Sequence, residues 1–406
     1  MAGFLLYFPA GFRYDKKKTG GYAMNPFFPE IKKNFGFGCM RFPTIDDKID
    51  FAQVTEMVDC FLEAGFNYFD TARPYHSGTS EDAIRQCLTS RYPRDRYVLA
   101  DKLSITQFET EAEILPLFES QLERCGVEYF DFYLVHANSA VRHERFKQMH
   151  AYDILKELKA AGKIRHMGMS FHDKARVLDK ILTEVPELEF VQLQINYVDW
   201  DDLKVQSRKC YEVCKKHGKP VMVMEPVKGG TLVNLPEAAL QEMTTGSPAS
   251  YAIRYAAGLP DVCMVLSGMS NMEQMQENVS FMKDFKKLSF AEEQTLERVR
   301  SIYQAQTRIP CTGCRYCVDK CYGQIDIPKV FAVYNDILEG KEGAEEVYKA
   351  LARGADRCVG CDMCGHVCPQ SLNIRALMGR INDRFLPNTV KRPTTRTRLK
   401  DARKRK

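Results

Sequence analysis

The chain has 406 residues, 45% of them hydrophobic, with 15 cysteines and a formal charge of +5, and this length holds one large and one small domain. No run reaches the roughly 18 apolar residues of a membrane span. Residues 391–406 carry nine Lys or Arg against one Asp, so the rest of the chain is near −3 and gives no footprint for nucleic acid; the basic run reads as a solvated tail able to meet an acidic partner.

The first ten residues, MAGFLLYFPA, are apolar, but basic residues follow rather than precede them, the wrong order for a signal peptide. Residues 1–30 are expected to be an N-terminal extension, disordered over 1–23 ahead of the internal Met24, with structure beginning near Ile31. From about residue 35 to 285, short apolar runs alternate with amphipathic stretches, which predicts parallel strands joined by helices. The strands are expected at 35–40, 67–71, 97–102, 130–136, 164–170, 190–196, 220–226 and 262–267. Between 50 and 64 Phe51, Val54, Val58, Phe61 and Leu62 keep one helix face apolar, and Gly65 follows as a C-cap. Eight such units in about 250 residues match a (β/α)8 TIM barrel, assigned here to residues 31–300. An open doubly wound sheet is the alternative, yet the first strand leads into GFGCMRFPT without a G-x-G-x-x-G turn.

Residues 286–309 read as a further helix and a linker. A second domain, 301–390, carries eight of the cysteines in one spacing written twice: Cys311, Cys314, Cys317, Cys321 and, 47 residues on, Cys358, Cys361, Cys364, Cys368 followed by Pro369. This is the ligand pattern of two 4Fe-4S clusters, in which the fourth cysteine of each run ligates the other cluster. Cys368 is therefore grouped with Cys311, Cys314 and Cys317, and Cys321 with Cys358, Cys361 and Cys364. Zinc is the competing reading, but it leaves a third cysteine per motif without a role. Cys321 is followed by Tyr322 and Gly323 where the motif has proline. The helical composition of 327–353 between the motifs predicts a small, mainly helical ferredoxin-like domain. Cys39, Cys60, Cys87, Cys125, Cys210, Cys214 and Cys263 read as reduced core thiols, and thiols beside iron-sulfur ligands imply a reducing, cytoplasmic setting.

In a TIM barrel the active site forms at the C-terminal ends of the strands. Asp70 closes the second predicted strand, Tyr75 lies in the loop after it, Lys102 closes the third and His136 the fourth. These segments resemble the aldo/keto reductase family over residues 35–285, with support from GFGCMR, GKIRHMGMS at 162–170, VQLQ at 191–194 and SGMSNMEQMQEN at 267–278. With the two cysteine motifs, the whole chain resembles the ferredoxin-extended members of that family.

The resemblance implies an oxidoreductase that reduces a carbonyl with NAD or NADP, or oxidises the corresponding alcohol. Tyr75 is then the acid, with an adjacent Lys102 expected to lower its pKa. Asp70 pairs with Lys102, and His136 orients the carbonyl oxygen. The same resemblance gives Ser170 and Gln192 to the nicotinamide carboxamide, Glu277 and Asn278 to the adenine, and Gly268 with its neighbours to a phosphate. Three positions depart from the family: Phe171 replaces an Asn, Met224 replaces a stacking Tyr, and Gly268 and Gln274 stand where cations clasp a 2'-phosphate. NAD and NADP are thus both open. His76, His166 and His172 read as polar loop or strand-end residues. A nicotinamide moves two electrons and each cluster one, so their union calls for a partner protein, a bound flavin without a visible fingerprint, or a purely structural role of the clusters. A nicotinamide-binding redox sensor or scaffold is the alternative function.

Overall fold

Strands buried on both faces need continuous apolar runs, and the eight runs of the chain become Phe35–Gly38 (β1), Tyr68–Asp70 (β2), Val98–Leu103 (β3), Phe130–Asn138 (β4), Ile164–Phe171 (β5), Phe190–Gln194 (β6), Val221–Met224 (β7) and Val262–Ser267 (β8). The computed structural model describes residues 25–305, 308–370 and 372–385. Each strand pairs in parallel with the next, and β8 closes on β1 through Phe35 opposite Val265. The result is the TIM barrel that the periodicity predicts.

Side chains alternate between two cores. Tyr68, Ala100, Phe132, Phe190, Met222 and Leu266 fill the barrel interior, while Phe37, Phe69, Leu99, Val135 and Val191 face the surrounding helices. Interior glycines make room for the large rings: a methyl added to Gly168 would overlap the Phe190 ring. The first helix, Phe51–Glu63 (α1), buries the predicted face; Asp50 caps it, accepting from the Gln53 amide at 3.1 Å, and Gly65 ends it at φ 85°.

The floor of the barrel corrects the expected N-terminal boundary. Residues 1–24 lie outside the described residues, but 25–30 belong to the barrel. Phe28 is 4% exposed and packs edge-on against Phe132 and His166, at 5.0 and 4.8 Å between ring centres. An apolar side chain is needed there to seal the interior from water.

Two strand ends differ from expectation for backbone reasons. β7 stops at Met224, before the predicted end at 226, because Glu225 turns into the left-handed region at φ 58°. β4 continues to Asn138, but its register with β5 breaks between Val135 and Asn138, where Ala137 has φ 52°. That break is a β-bulge, which re-aims neighbouring side chains.

Ala140–Gln148 (α2) follows β4, Met272–Lys283 (α3) follows β8, and Phe290–Gln304 (α4) leads out of the barrel behind a Ser289/Glu292 capping box. The second domain is helical, as its composition predicts: Ile327–Leu338 (α5), Ala344–Lys349 (α6) and Ile374–Phe385 (α7) pack Phe331, Ile337, Met378 and Ile381 into a separate small core. The tail 391–406 lies outside the described residues.

Candidate active site and cysteine pockets

Asp70, Tyr75, Lys102 and His136 meet at the C-terminal mouth of the barrel. Lys102 is fully buried, and its Nζ donates to Asp70 Oδ1 at 2.6 Å and to the Thr71 carbonyl at 2.7 Å. An ammonium can lie in this interior only because both partners satisfy it. The second Asp70 oxygen accepts from Gln192 Nε2 at 3.2 Å, so β2, β3 and β6 are cross-braced at one point. Lys102 Nζ stands 4.9 Å from the centre of the Tyr75 ring, and Tyr75 meets His136 edge-to-face at 6.0 Å.

The turn after Tyr75 places His76 and Ser77 in left-handed conformations, at φ 49° and 54°. His76 is fixed by accepting from the Phe42 amide at 3.1 Å and stacking on Phe42, so it braces the loop after β1. His166 is remote from the mouth, at the barrel floor between Glu30 (2.6 Å) and Glu189 (3.0 Å).

The environment sets the protonation states of the mouth. Burial first, and then the charge of Asp70, push the Tyr75 hydroxyl well above the usual tyrosine range. Burial and Asp70 thus outweigh the lowering expected from Lys102. Burial, followed by the charges of Lys102, Arg142 and His172, pushes His136 well below the usual histidine range. Its Nδ1 lies 2.5 Å from Ser104 Oγ. The mouth therefore holds a protonated phenol beside a neutral imidazole.

Ser170 Oγ accepts from the Ala137 amide at 2.7 Å, and so pins the bulge of β4. Among the described residues its hydroxyl proton and Gln192 Oε1 have no hydrogen-bond partner, a donor and acceptor pair that fits a carboxamide. Asn278 and Glu277 lie on α3, where Asn278 Nδ2 donates to Ser267 Oγ at 3.3 Å. Gln274 is committed to the start of that helix, accepting from the Ser270 amide at 2.8 Å. Gly268 precedes the helix by four residues and lies under Arg41, whose Cγ would be 2.6 Å from an added methyl.

The cysteines gather as the repeat implies. Cys311, Cys314, Cys317 and Cys368 line one cavity, and Cys321, Cys358, Cys361 and Cys364 line another. Both loops use the same backbone device: Gly313 and Arg315 have φ 64° and 65°, and their counterparts Gly360 and Asp362 have φ 71° and 64°. Two left-handed residues between three cysteines turn all three sulfurs to one side. Gly323, standing near the absent proline, is where the chain crosses the second loop; an added methyl would lie 2.5 Å from the Arg357 carbonyl oxygen.

The first cavity adjoins the barrel mouth. Arg41 Nη2 donates to the Thr312 carbonyl at 2.6 Å, and Gly229, left-handed at φ 61°, packs directly on Thr312. Behind Cys368, Gln370 is buried in a network with Gln194 and with Lys228, which itself pairs with Asp199 at 2.6 Å. Tyr316, between Cys314 and Cys317, is half-buried near the mouth; burial and then the proximity of Tyr75 hold its hydroxyl well above the usual range. Arg41, Ser104, Arg142, Tyr316 and Gln370 were not singled out by the sequence. Only Tyr316 has a local signal, its place inside a C-x-x-C.

Residues 34–300 match the model of the Aldo/keto reductase family, and residues 310–373 that of the 4Fe-4S dicluster domain. The chain is 28% identical over 232 residues to an aldo-keto reductase of Mycolicibacterium vanbaalenii, covering 56% of this chain and 77% of that protein. It is 26% identical over 197 residues to an NADH-specific methylglyoxal reductase of Escherichia coli, covering 43% of this chain and 57% of that protein. The fold resembles an aldo-keto reductase of Bacillus halodurans in its holo form, with TM-score 0.55, 24% identity, and coverage of 66% and 91%. It also resembles an aldo-keto reductase of Klebsiella pneumoniae in complex with NADPH, with TM-score 0.53, 21% identity, and coverage of 68% and 94%.

Proposed function

The chain belongs to the aldo/keto reductase family and carries a 4Fe-4S dicluster domain behind its barrel, and from this we propose that it is an NAD(P)H-dependent carbonyl reductase, or alcohol dehydrogenase in reverse, with two 4Fe-4S clusters that pass electrons. The observation that carries the reading is the contact of Asp70, Lys102, Tyr75 and His136 at one end of the barrel. Reduced nicotinamide, when bound, supplies hydride to the carbonyl carbon. Ser170 and Gln192 would hold its carboxamide, and Glu277, Asn278, Gly268 and Gln274, on α3 and just before it, would meet its adenine and phosphates.

Tyr75 gives its proton to the carbonyl oxygen as negative charge develops there. A phenol whose pKa is raised is a reluctant acid in the ground state. Lys102, 4.9 Å from the ring centre, favours the phenolate as the proton departs. Asp70 and the Thr71 carbonyl hold that ammonium in place, and solvent restores the proton through the mouth. With Ser104 donating to Nδ1, neutral His136 keeps its proton on Nε2 and donates it in a hydrogen bond to the carbonyl oxygen.

Four thiols around each cavity fit the ligand demand of a cubane, one sulfur per iron. Cys311, Cys314, Cys317 and Cys368 would hold the inner cluster, and Cys321, Cys358, Cys361 and Cys364 the outer one. When loaded, the clusters move single electrons. The outer cavity is bordered by exposed Lys320, Tyr322 and Arg375, which suits an acidic electron-transfer protein. Free thiols together with such clusters suit a reducing compartment such as the cytoplasm.

Tyr75→Phe in anaerobically purified protein tests the reading. Carbonyl reduction should fall by about 100-fold or more while the cluster absorbance is unchanged. A variant as fast as the parent removes Tyr75 as the acid. A second reading, a nicotinamide-binding redox sensor, draws on Phe171, Met224 and the cover that Arg41 forms over Gly268. It predicts cluster bleaching by NADH or NADPH with no carbonyl turnover.

A further inference from the structure

Arg142 lies near the N-terminal end of α2, immediately beyond the strand that carries His136. Its Nη1 donates to the Ala137 carbonyl at 2.8 Å. Ala137 sits in the bulge of β4, with φ 52° and its amide held by Ser170. The guanidinium is thus seated on the residue next to His136, at the same end of the barrel as the tetrad.

Arg142 is half-buried, yet no carboxylate pairs with it among the described residues. Arg73 meets Glu81 at 3.1 Å, Arg94 meets Asp131 at 2.5 Å, and Arg254 meets Glu292 at 2.7 Å; Arg41 and Arg145 are held by backbone carbonyls of Thr312 and Phe108, and of these three only Arg142 is seated on the residue next to His136. The nearest acid of the tetrad, Asp70, is already occupied by Lys102 and Gln192. The field of Arg142 is felt at the site. It helps to depress His136, and after burial it is the cause that brings His172 down to about 4. A guanidinium drawn from water without a counter-charge is costly, and an anionic ligand offsets that cost.

We propose that Arg142 binds a carboxylate carried by the substrate, so that the site takes oxo acids whose carboxylate is close to the reacting carbonyl. One N–H of the guanidinium is spent on Ala137, and the remaining fork suits the planar, two-oxygen geometry of a carboxylate. A phosphate dianion calls for a second cation, and Lys102, the cation of the tetrad, is committed to Asp70 and Thr71. This inference rests on the carbonyl-reductase reading. The carbonyl carbon gains hydride and its oxygen gains the Tyr75 proton; the C=O π bond breaks, the nicotinamide is oxidised, and the product is a hydroxy acid.

The test uses the anaerobic holoenzyme in two measurements. In the first, calorimetry follows binding of oxamate, an unreactive carboxylate, with and without oxidised nicotinamide. Arg142→Gln should weaken it by about tenfold to hundredfold, and Arg142→Lys by less. In the second, pyruvate is compared with methyl pyruvate, which keeps the same ketone and loses the charge. The ratio of their kcat/KM values should fall about tenfold or more in Arg142→Gln, mainly through the KM of pyruvate. Oxamate that does not bind the parent, or binds Arg142→Gln equally well, overturns the inference. Binding that depends on Arg142 with no turnover of either ketone upholds the carboxylate site and overturns the reductase reading. Turnover of methyl pyruvate with a ratio unmoved in Arg142→Gln does the opposite.

Discussion

Gln194 and Gln370 exchange both amide hydrogen bonds, at 2.9 and 3.2 Å, and so join the end of β6 to the chain just beyond Cys368. Gln370 also accepts from Lys228 at 3.1 Å, inside a buried network that includes Asp199. The inner cysteine pocket is therefore built against the barrel by a fully paired polar contact. Such a contact fixes orientation more than it adds stability.

Gln370→Leu should reveal what that contact holds. Leaving Gln194 and Lys228 short of a buried partner should cost about 1–3 kcal/mol. Hydrogen exchange should rise at 311–317 and at 228–231 together, with iron content unchanged. Unaltered exchange in both segments would show that the network does not govern docking.

The activity should be nearly independent of pH across the physiological range. Tyr75 is held above the usual tyrosine value of about 10 and His136 below the usual histidine value of about 6.5, so neither titrates between about pH 6.5 and 9. Carbonyl reduction at saturating substrate should vary by less than about threefold over that interval. A clear inflection near pH 7 would mean that His136 titrates as an exposed imidazole. Stability follows a related rule: the unfolded chain takes up a proton on His136 that the folded one resists, so acid destabilises the fold below about pH 6.5.

His166 at the barrel floor behaves in the opposite sense. Burial alone would lower it, but hydrogen bonds to Glu189 and Glu30 outweigh burial and raise it to about 9. Its contribution to stability is complete below its unfolded value of about 6.5 and is lost as pH rises through 9. His166→Gln should therefore lower stability by about 1–2 kcal/mol at pH 6, allowing for partly solvated partners, with the gap shrinking by pH 10. Thermal melts of both proteins across that range decide it, and a pH-independent gap would contradict the ion pairs.

Double cysteine variants should report the crossed grouping. If Cys321 serves the outer pocket, Cys321→Ser with Cys358→Ser removes one cluster, whereas Cys321→Ser with Cys311→Ser removes both. Anaerobic iron analysis should then give about four irons in the first case and near none in the second. The reverse result would place Cys321 with Cys311.

The barrel was legible because parallel strands buried on both faces must be continuous apolar runs, and eight of them leave few topologies. Asp70, Lys102 and His136 were legible from their positions at strand ends. The cysteine grouping was legible because the two runs share one spacing, and in that pattern the fourth cysteine serves the other cluster. What escaped was non-local. Phe28 reads as part of an apolar, unpatterned extension, and nothing in a single Gln betrays that position 370 meets position 194. The direction of the Tyr75 shift also escaped, since it depends first on how deeply the hydroxyl is buried and then on its nearness to Asp70, which only geometry settles.

The crossing of the cysteine runs imposes an order on biogenesis. The outer set is complete once residue 364 has been made, but the inner set waits for Cys368, by which time every barrel strand, ending at Ser267, has long been available to fold. Ribosome-bound chains ending short of the second run can hold at most partial ligand sets. Complete ligand sets for the proposed clusters therefore exist only late in synthesis, when every barrel strand has already been made.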